Sequence, residues 1–73
     1  MSESADRDRI VEIARAYARE AGRDVDRYEV AGVESETARH FVLFHAPTGA
    51  PGDHFSVEVD DATGRAVMLI PGR

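Results

Sequence analysis

The first third of the chain has the hydrophobic pattern of a helix. Between Ser4 and Gly22, apolar residues recur every three or four positions, which is the spacing of an amphipathic helix. Ser4 is a suitable N-cap residue, and Gly22 suits the position just after a helix, where the backbone often takes a positive φ. We therefore predict a helix over residues 5–21. Its buried stripe consists of Ile10, Ile13, Ala14, Tyr17 and Ala21, with Val11 and Ala18 at the border.

The remaining residues have the pattern of four strands, near 25–35, 38–46, 54–60 and 65–70. The third strand is the clearest, because apolar and polar residues alternate along it with a period of two. A turn follows at residues 60–65, where Gly64 can take the positive φ that closes such a turn. Pro71 ends the last strand, since proline has no N–H for the ladder.

Two of these strands leave a question of side-chain direction open. In the first, Tyr28 and Val30 share one face, whereas Val33 has the opposite parity unless a bulge at Gly32 returns it to the same face. The second is apolar on both faces, because residues 41–44 read Phe-Val-Leu-Phe. A strand of this kind lies at the centre of a sheet or has both faces covered.

Together these elements predict a single α+β domain over residues 1–73, with one helix packed on a four-stranded antiparallel meander. The single apolar stripe of the helix covers only one face of the sheet. The opposite face keeps apolar side chains, and such a patch generally marks an interface. We expect this interface to contain Val42, Phe44, Met68 and Ile70, with Phe41 and Leu43 as the alternative to the first two.

The closing hairpin resembles that of two families of small domains. Residues 55–67 run aromatic-x-Val-x-Val-Asp, then Thr-Gly and a valine-bearing strand, which resembles the end of the PepSY domain. Together with the preceding loop, Gly49 to Gly52, the same ending is similar to small bacterial immunity proteins of the nuclear-transport-factor-two-like fold. Either resemblance implies a cystatin-like curved sheet with the helix in its concave face. Neither implies catalytic residues, and the immunity proteins are cytoplasmic.

Composition narrows the choice of partners. The 73 residues carry a net charge of −5, which disfavours a nucleic-acid backbone as partner. No apolar run approaches the roughly 20 residues that span a bilayer, and the polar start lacks the pattern of a signal peptide, so we expect a cytoplasmic protein that does not bind membranes. A short chain without cysteine often gains burial by oligomerisation, and therefore we expect a homodimer or another protein partner.

Candidate chemistry is sparse. His45 and His54 flank the loop, and with Asp53 they could provide three metal ligands, but the spacing is generic and we expect no metal site. Neither Ser35 nor Ser56 has the sequence context of an activated nucleophile. Asp61 is read as a turn cap, beside a solvated strand end at Asp60. We therefore expect a non-catalytic protein-binding module without cofactors. The alternative is a small-ligand or enzymatic site in the concavity between helix and sheet.

Overall fold

A computed structural model describes residues 3–47 and 54–72, which form one helix and a four-stranded sheet. The strands are antiparallel neighbours in chain order, so the predicted α+β meander is confirmed. A single 3-10 turn, Val25–Arg27, follows the helix. The elements are α1 (Glu3–Glu20), β1 (Glu29–Ser35), β2 (Arg39–His45), β3 (His54–Asp60) and β4 (Arg65–Pro71).

The buried face of α1 is centred on small residues. Ala14 and Ala18 are fully buried, whereas Ile13 and Tyr17 are only half-buried and Ala21 is exposed. Ile13 and Tyr17 pack against the core as predicted, although they are not fully buried, whereas the prediction that Ala21 belongs to the buried stripe is wrong. Alanine allows the helix axis to approach the sheet closely, and the larger side chains then pack along both flanks of the contact.

Within the described residues, no helix has the length and apolar character needed to cross a membrane.

Helix α1 ends at its C-terminus as predicted, but its N-terminus differs from the prediction. Gly22 has a φ of +93°, its N–H bonds to the Arg19 carbonyl, and the Arg23 N–H bonds to the Ala18 carbonyl. These bonds form the Schellman motif that satisfies the last free carbonyls of a helix, so the predicted C-terminal end is confirmed. The predicted N-cap at Ser4 is wrong, because the helix already includes this residue.

The first strand begins later than expected. Residues predicted as its start form the 3-10 turn, in which the Arg27 N–H bonds to the Asp24 carbonyl and the Tyr28 N–H bonds to the Val25 carbonyl. The turn places Val25 in the core, where it is 1% exposed. Burial of Val25 thus favours the 3-10 turn over an earlier start of β1.

A bulge in β1 corrects the direction of its last apolar residue. Val30 pairs with Phe44 and Gly32 pairs with Leu43, so Ala31 is the extra residue. Beyond the bulge, Val33 pairs with Val42 and joins the residues that contact the core. Of the two possibilities that the sequence left open for Val33, the structure therefore has the bulge.

The core lies between α1 and the two central strands. At one end, the rings of Phe44 and Phe55 stack with centroids 4.8 Å apart, and Tyr28 meets Phe55 edge-on at 4.9 Å. The Arg23 guanidinium lies 5.0 Å from the centre of the Phe55 ring and covers it from outside. This end of the helix–sheet layer is therefore closed by aromatic contacts. The fully buried large side chains are Val25, Val42, Phe44, Phe55, Val57 and Val59.

The turn between β3 and β4 assigns its two aspartates differently from the expectation. Asp60 Oδ1 accepts hydrogen bonds from the backbone N–H of Ala62 at 2.8 Å and of Thr63 at 3.4 Å, whereas Asp61 contacts a histidine of β2. Asp60 is thus the residue that caps the turn, whereas the cap was expected at Asp61. Gly64 has a φ of +69°, as the sequence predicted.

Candidate interaction face

One face of the sheet is turned away from α1, and we call it the open face. Directly paired residues of neighbouring strands point to the same face. The register therefore builds two rows across the three strands β2, β3 and β4. The first row is Phe41, Glu58 and Met68, and the second is Leu43, Ser56 and Ile70. These six residues define the open face.

Half of the predicted interface lies elsewhere. Met68 and Ile70 are on the open face as expected, but Val42 and Phe44 are 0% and 1% exposed. They pair with Val57 and Phe55 on the side of the sheet that α1 covers. Their assignment to the interface is therefore wrong. The alternative pair from the same strand, Phe41 and Leu43, takes their place and is half-buried.

The strand β4 contributes the most accessible apolar surface. Among the described residues, the large hydrophobic side chains that are clearly exposed are Val67 (51%), Met68 (46%) and Ile70 (38%). Single exposed residues of this kind are common, but three within four positions are not scattered. Two of them belong to the open face, where they adjoin Phe41 and Leu43 across β3.

A charged residue at the centre of this face is neutralised within the chain. The side chain of Glu58 is 15% exposed between Phe41 and Met68, and its Oε2 lies 3.7 Å from Nη1 of Arg39. Such a partly exposed pair adds little to stability. The carboxylate at the centre of the open face is nevertheless compensated within the chain.

A shallow groove crosses the open face at Ser56. It has a volume of about 560 Å³ and lies where the small serine separates Leu43 from Ile70. His45 and His54 border it at the end of the sheet. The groove offers space for a large apolar side chain from a partner surface.

The two histidines at this border are paired across β2 and β3, as their sequence positions allowed. His45 Nε2 lies 3.8 Å from Oε2 of Glu29, so the nearest charged partner belongs to β1. Asp53, the third ligand considered, falls outside the described residues. Within those residues, no group of three His, Cys, Asp or Glu side chains is arranged to hold a metal ion.

A second polar cluster lies at the opposite end of the helix–sheet layer. Ser35 Oγ is 2.8 Å from His40 Nδ1, and His40 Nε2 is 2.9 Å from Asp61 Oδ1. Clefts of about 480 and 290 Å³ open on either side of the imidazole, and the larger one is also lined by Arg9 and Asp6. Within the described part of the chain, these three side chains form the sole serine–histidine–aspartate arrangement.

This cluster was not predicted from the sequence. One part of it could have been: the polar turn that follows Ser35 is short enough to pair Ser35 with His40, as the register of β1 and β2 shows. The contact with Asp61 depends on the packing of two separate hairpin turns, where the Asp61 N–H also bonds to the Ala38 carbonyl. No local pattern encodes that proximity.

Comparison of the chain with known protein families, with curated proteins and with solved structures gave no match.

Proposed function

We propose that the protein is a protein-binding module whose interface is the open face, and that its first partner is a second copy of the chain. The observation that carries this proposal is the pair of rows across β2, β3 and β4, in which four of six side chains are large and apolar. Binding by this face requires no catalytic group and no cofactor. A heterologous protein is the other use of the same surface.

The area of the face supports a dimer of modest size. The three strands of the open face, about 4.8 Å apart and seven residues long at about 3.4 Å per residue, span a flat area of about 340 Å². A biological interface buries at least about 1,000 Å² in total, or about 500 Å² per copy. This is about one tenth of the total surface of 5010 Å². Side chains that stand out from the sheet raise the available area above the flat value.

The edge of β4 is a weaker candidate for pairing between copies. A bulge interrupts the ladder where Val59 pairs with Ala66 and Glu58 pairs with Met68. At that point the Tyr17 hydroxyl donates to the Val67 carbonyl at 3.4 Å, and Pro71 ends the strand without an N–H. Bulges and prolines are features that protect edge strands from pairing. The side chains of β4, used through the open face, are therefore the favoured contact.

The resemblance to small bacterial immunity proteins, given by the closing hairpin, supports a toxin as the heterologous partner and a cytoplasmic location. Both belong to the proposal. The PepSY resemblance supports the same curved sheet and names no partner.

The test is sedimentation equilibrium of the full chain at micromolar concentration. We expect a concentration-dependent monomer–dimer equilibrium that Met68→Glu shifts to monomer, because two carboxylates would be buried in the apolar rows. The matched control is Ala16→Glu, which places the same charge on an exposed position of α1 and should leave the dimer intact.

A monomer at every concentration would remove the homodimer and leave the heterologous partner as the use of the face. Equal dissociation by both variants would contradict the open face as the interface, because the effect would then follow from charge alone.

The alternative function is a small-ligand or enzymatic site between helix and sheet. One observation favours it: the two clefts on either side of His40, which are lined by charged as well as apolar side chains.

A further inference from the structure

The serine–histidine–aspartate cluster has the connectivity that activates a serine hydroxyl. Nucleophile and base are within hydrogen-bond distance, and so are base and carboxylate, at 2.8 and 2.9 Å. These distances lie inside the range expected for a working nucleophile–base pair and its orienting group. The imidazole side chain is 15% exposed, whereas Ser35 is exposed, so the base is held and the nucleophile is accessible.

The contacts also decide which nitrogen accepts the proton. An ionised carboxylate can only accept, so the neutral imidazole carries its hydrogen on Nε2 and donates it to Asp61. The Nδ1 atom then presents its lone pair to the Ser35 hydroxyl, which donates to it. Asp61 thereby acts as a positioning residue that keeps His40 in the tautomer of a general base.

The smaller cleft adjoins this pair and offers space for a substrate. Besides Ser35 and His40, its lining includes Asp6 and Arg7 of α1 and the apolar side chains of Ile10 and Val33. The apolar pair offers a surface to a short acyl chain. At about 290 Å³, the cleft has room for a small ester.

We propose that Ser35 is an activated nucleophile that accepts acyl groups from small activated esters, with His40 as its base. Ser35 Oγ bonds to the carbonyl carbon while its proton passes to His40 Nδ1, and collapse of the intermediate breaks the ester C–O bond. The Nδ1 proton then passes to the departing oxygen. Water, deprotonated by the same nitrogen, subsequently releases the acyl group as a carboxylic acid and restores Ser35.

This inference goes beyond the proposed binding function and departs from the expectation that the chain is not an enzyme. It uses Ser35, His40 and Asp61, none of which belongs to the open face. A Met68→Glu variant that fails to dimerise should therefore still react at Ser35, so the two proposals succeed or fail separately.

The test is incubation of the full chain with p-nitrophenyl acetate, followed by peptide mapping of the acetylated residue. The chain has no lysine, so side-chain amines cannot obscure the result. Ser56 is the internal control, compared in the Met68→Glu variant so that no second copy covers it, because it has no histidine bonded to its hydroxyl in the described structure. We expect acetylation of Ser35 to be at least about tenfold faster than that of Ser56 and to disappear in Ser35→Ala.

Variants of the other two residues separate catalysis from structure. His40→Gln should slow acetylation of Ser35 by about 10²–10⁴-fold, the usual contribution of a general base. Asp61→Asn should also slow acetylation of Ser35, because an amide no longer fixes the tautomer of the base, and Asp61→Glu, which keeps a carboxylate, should restore part of the rate. The charges of Asp6, Arg9 and Asp60 remain in these variants, and circular dichroism checks that each one folds.

Equal acetylation of Ser35 and Ser56, or an unchanged Ser35 rate in folded His40→Gln, would overturn the proposal. The cluster would then be a structural link between two hairpin turns.

Discussion

Strand β2 presents apolar side chains to both faces of the sheet, but α1 covers only one of these faces. On the covered face, Val42 and Phe44 of β2 are essentially inaccessible, whereas their neighbours Phe41 and Leu43 on the open face are half-buried. The same strand supplies both pairs, so hydrophobicity does not distinguish them. What distinguishes them is the presence of α1 on one side. Burial in this domain is therefore decided by which face the helix covers, and the other face keeps accessible apolar surface.

The largest expected effect comes from a pair of phenylalanines that differ only in face. Phe44→Ala should lower the free energy of unfolding by about 3–5 kcal/mol, because it opens a cavity beside Phe55. Phe41→Ala should cost only about 1 kcal/mol at concentrations where the chain is monomeric, since its side chain is half-buried. Urea denaturation of both variants measures the difference. Equal costs would mean that the open face is already covered in the isolated chain.

A smaller effect should separate two alanines of α1. Ala14→Leu should lower the free energy of unfolding by about 1–3 kcal/mol, because the added atoms push the helix away from the sheet. Ala16→Leu places the same side chain on an exposed position and should change it by less than about 0.5 kcal/mol. Thermal unfolding followed by circular dichroism compares the two. If Ala14→Leu were neutral, the close approach of helix and sheet at this position would be disproved.

The smallest change in the free energy of unfolding is expected for Met68→Glu. The same variant is expected to have the largest effect on dimerisation. At submicromolar concentration, Met68→Glu should change the free energy of unfolding by less than about 0.5 kcal/mol, because Met68 is an exposed surface residue. At higher concentration, the wild-type chain should become more stable than this variant, since dimerisation stabilises the folded state by mass action. Melting temperatures measured over a dilution series show both regimes. A large loss at low concentration would place Met68 in the core.

The sequence was sufficient where apolar and polar residues alternate without ambiguity. In β3, Phe55, Val57 and Val59 face α1 as predicted, and the strand begins and ends at the expected residues. A bulge at Gly32 was the condition under which Val33 would share the face of Val30, and the bulge lies at Ala31 and Gly32. Local patterns carry this information because a strand has only two faces.

The sequence was insufficient where that alternation is absent or where distant segments meet. Residues 41–44 are all apolar, so either parity satisfied the pattern, and only the pairing with β3 decides between them. The cluster at His40 combines residues from two turns, and its contact with Asp61 is set by the packing of the hairpins. Neither the face of β2 nor this proximity follows from any short stretch of sequence.

The bulge in β1 has a consequence for how the gene can change in length. Because side chains alternate, losing one residue from a regular strand turns part of it inside out. At the bulge, however, Ala31 is already surplus to the ladder, with Val30 and Gly32 paired to consecutive residues of β2. A deletion of codon 31 would therefore restore a regular strand and leave Val30 and Val33 on their present face. This is one position where the domain can lose one amino acid while its buried side chains keep their face.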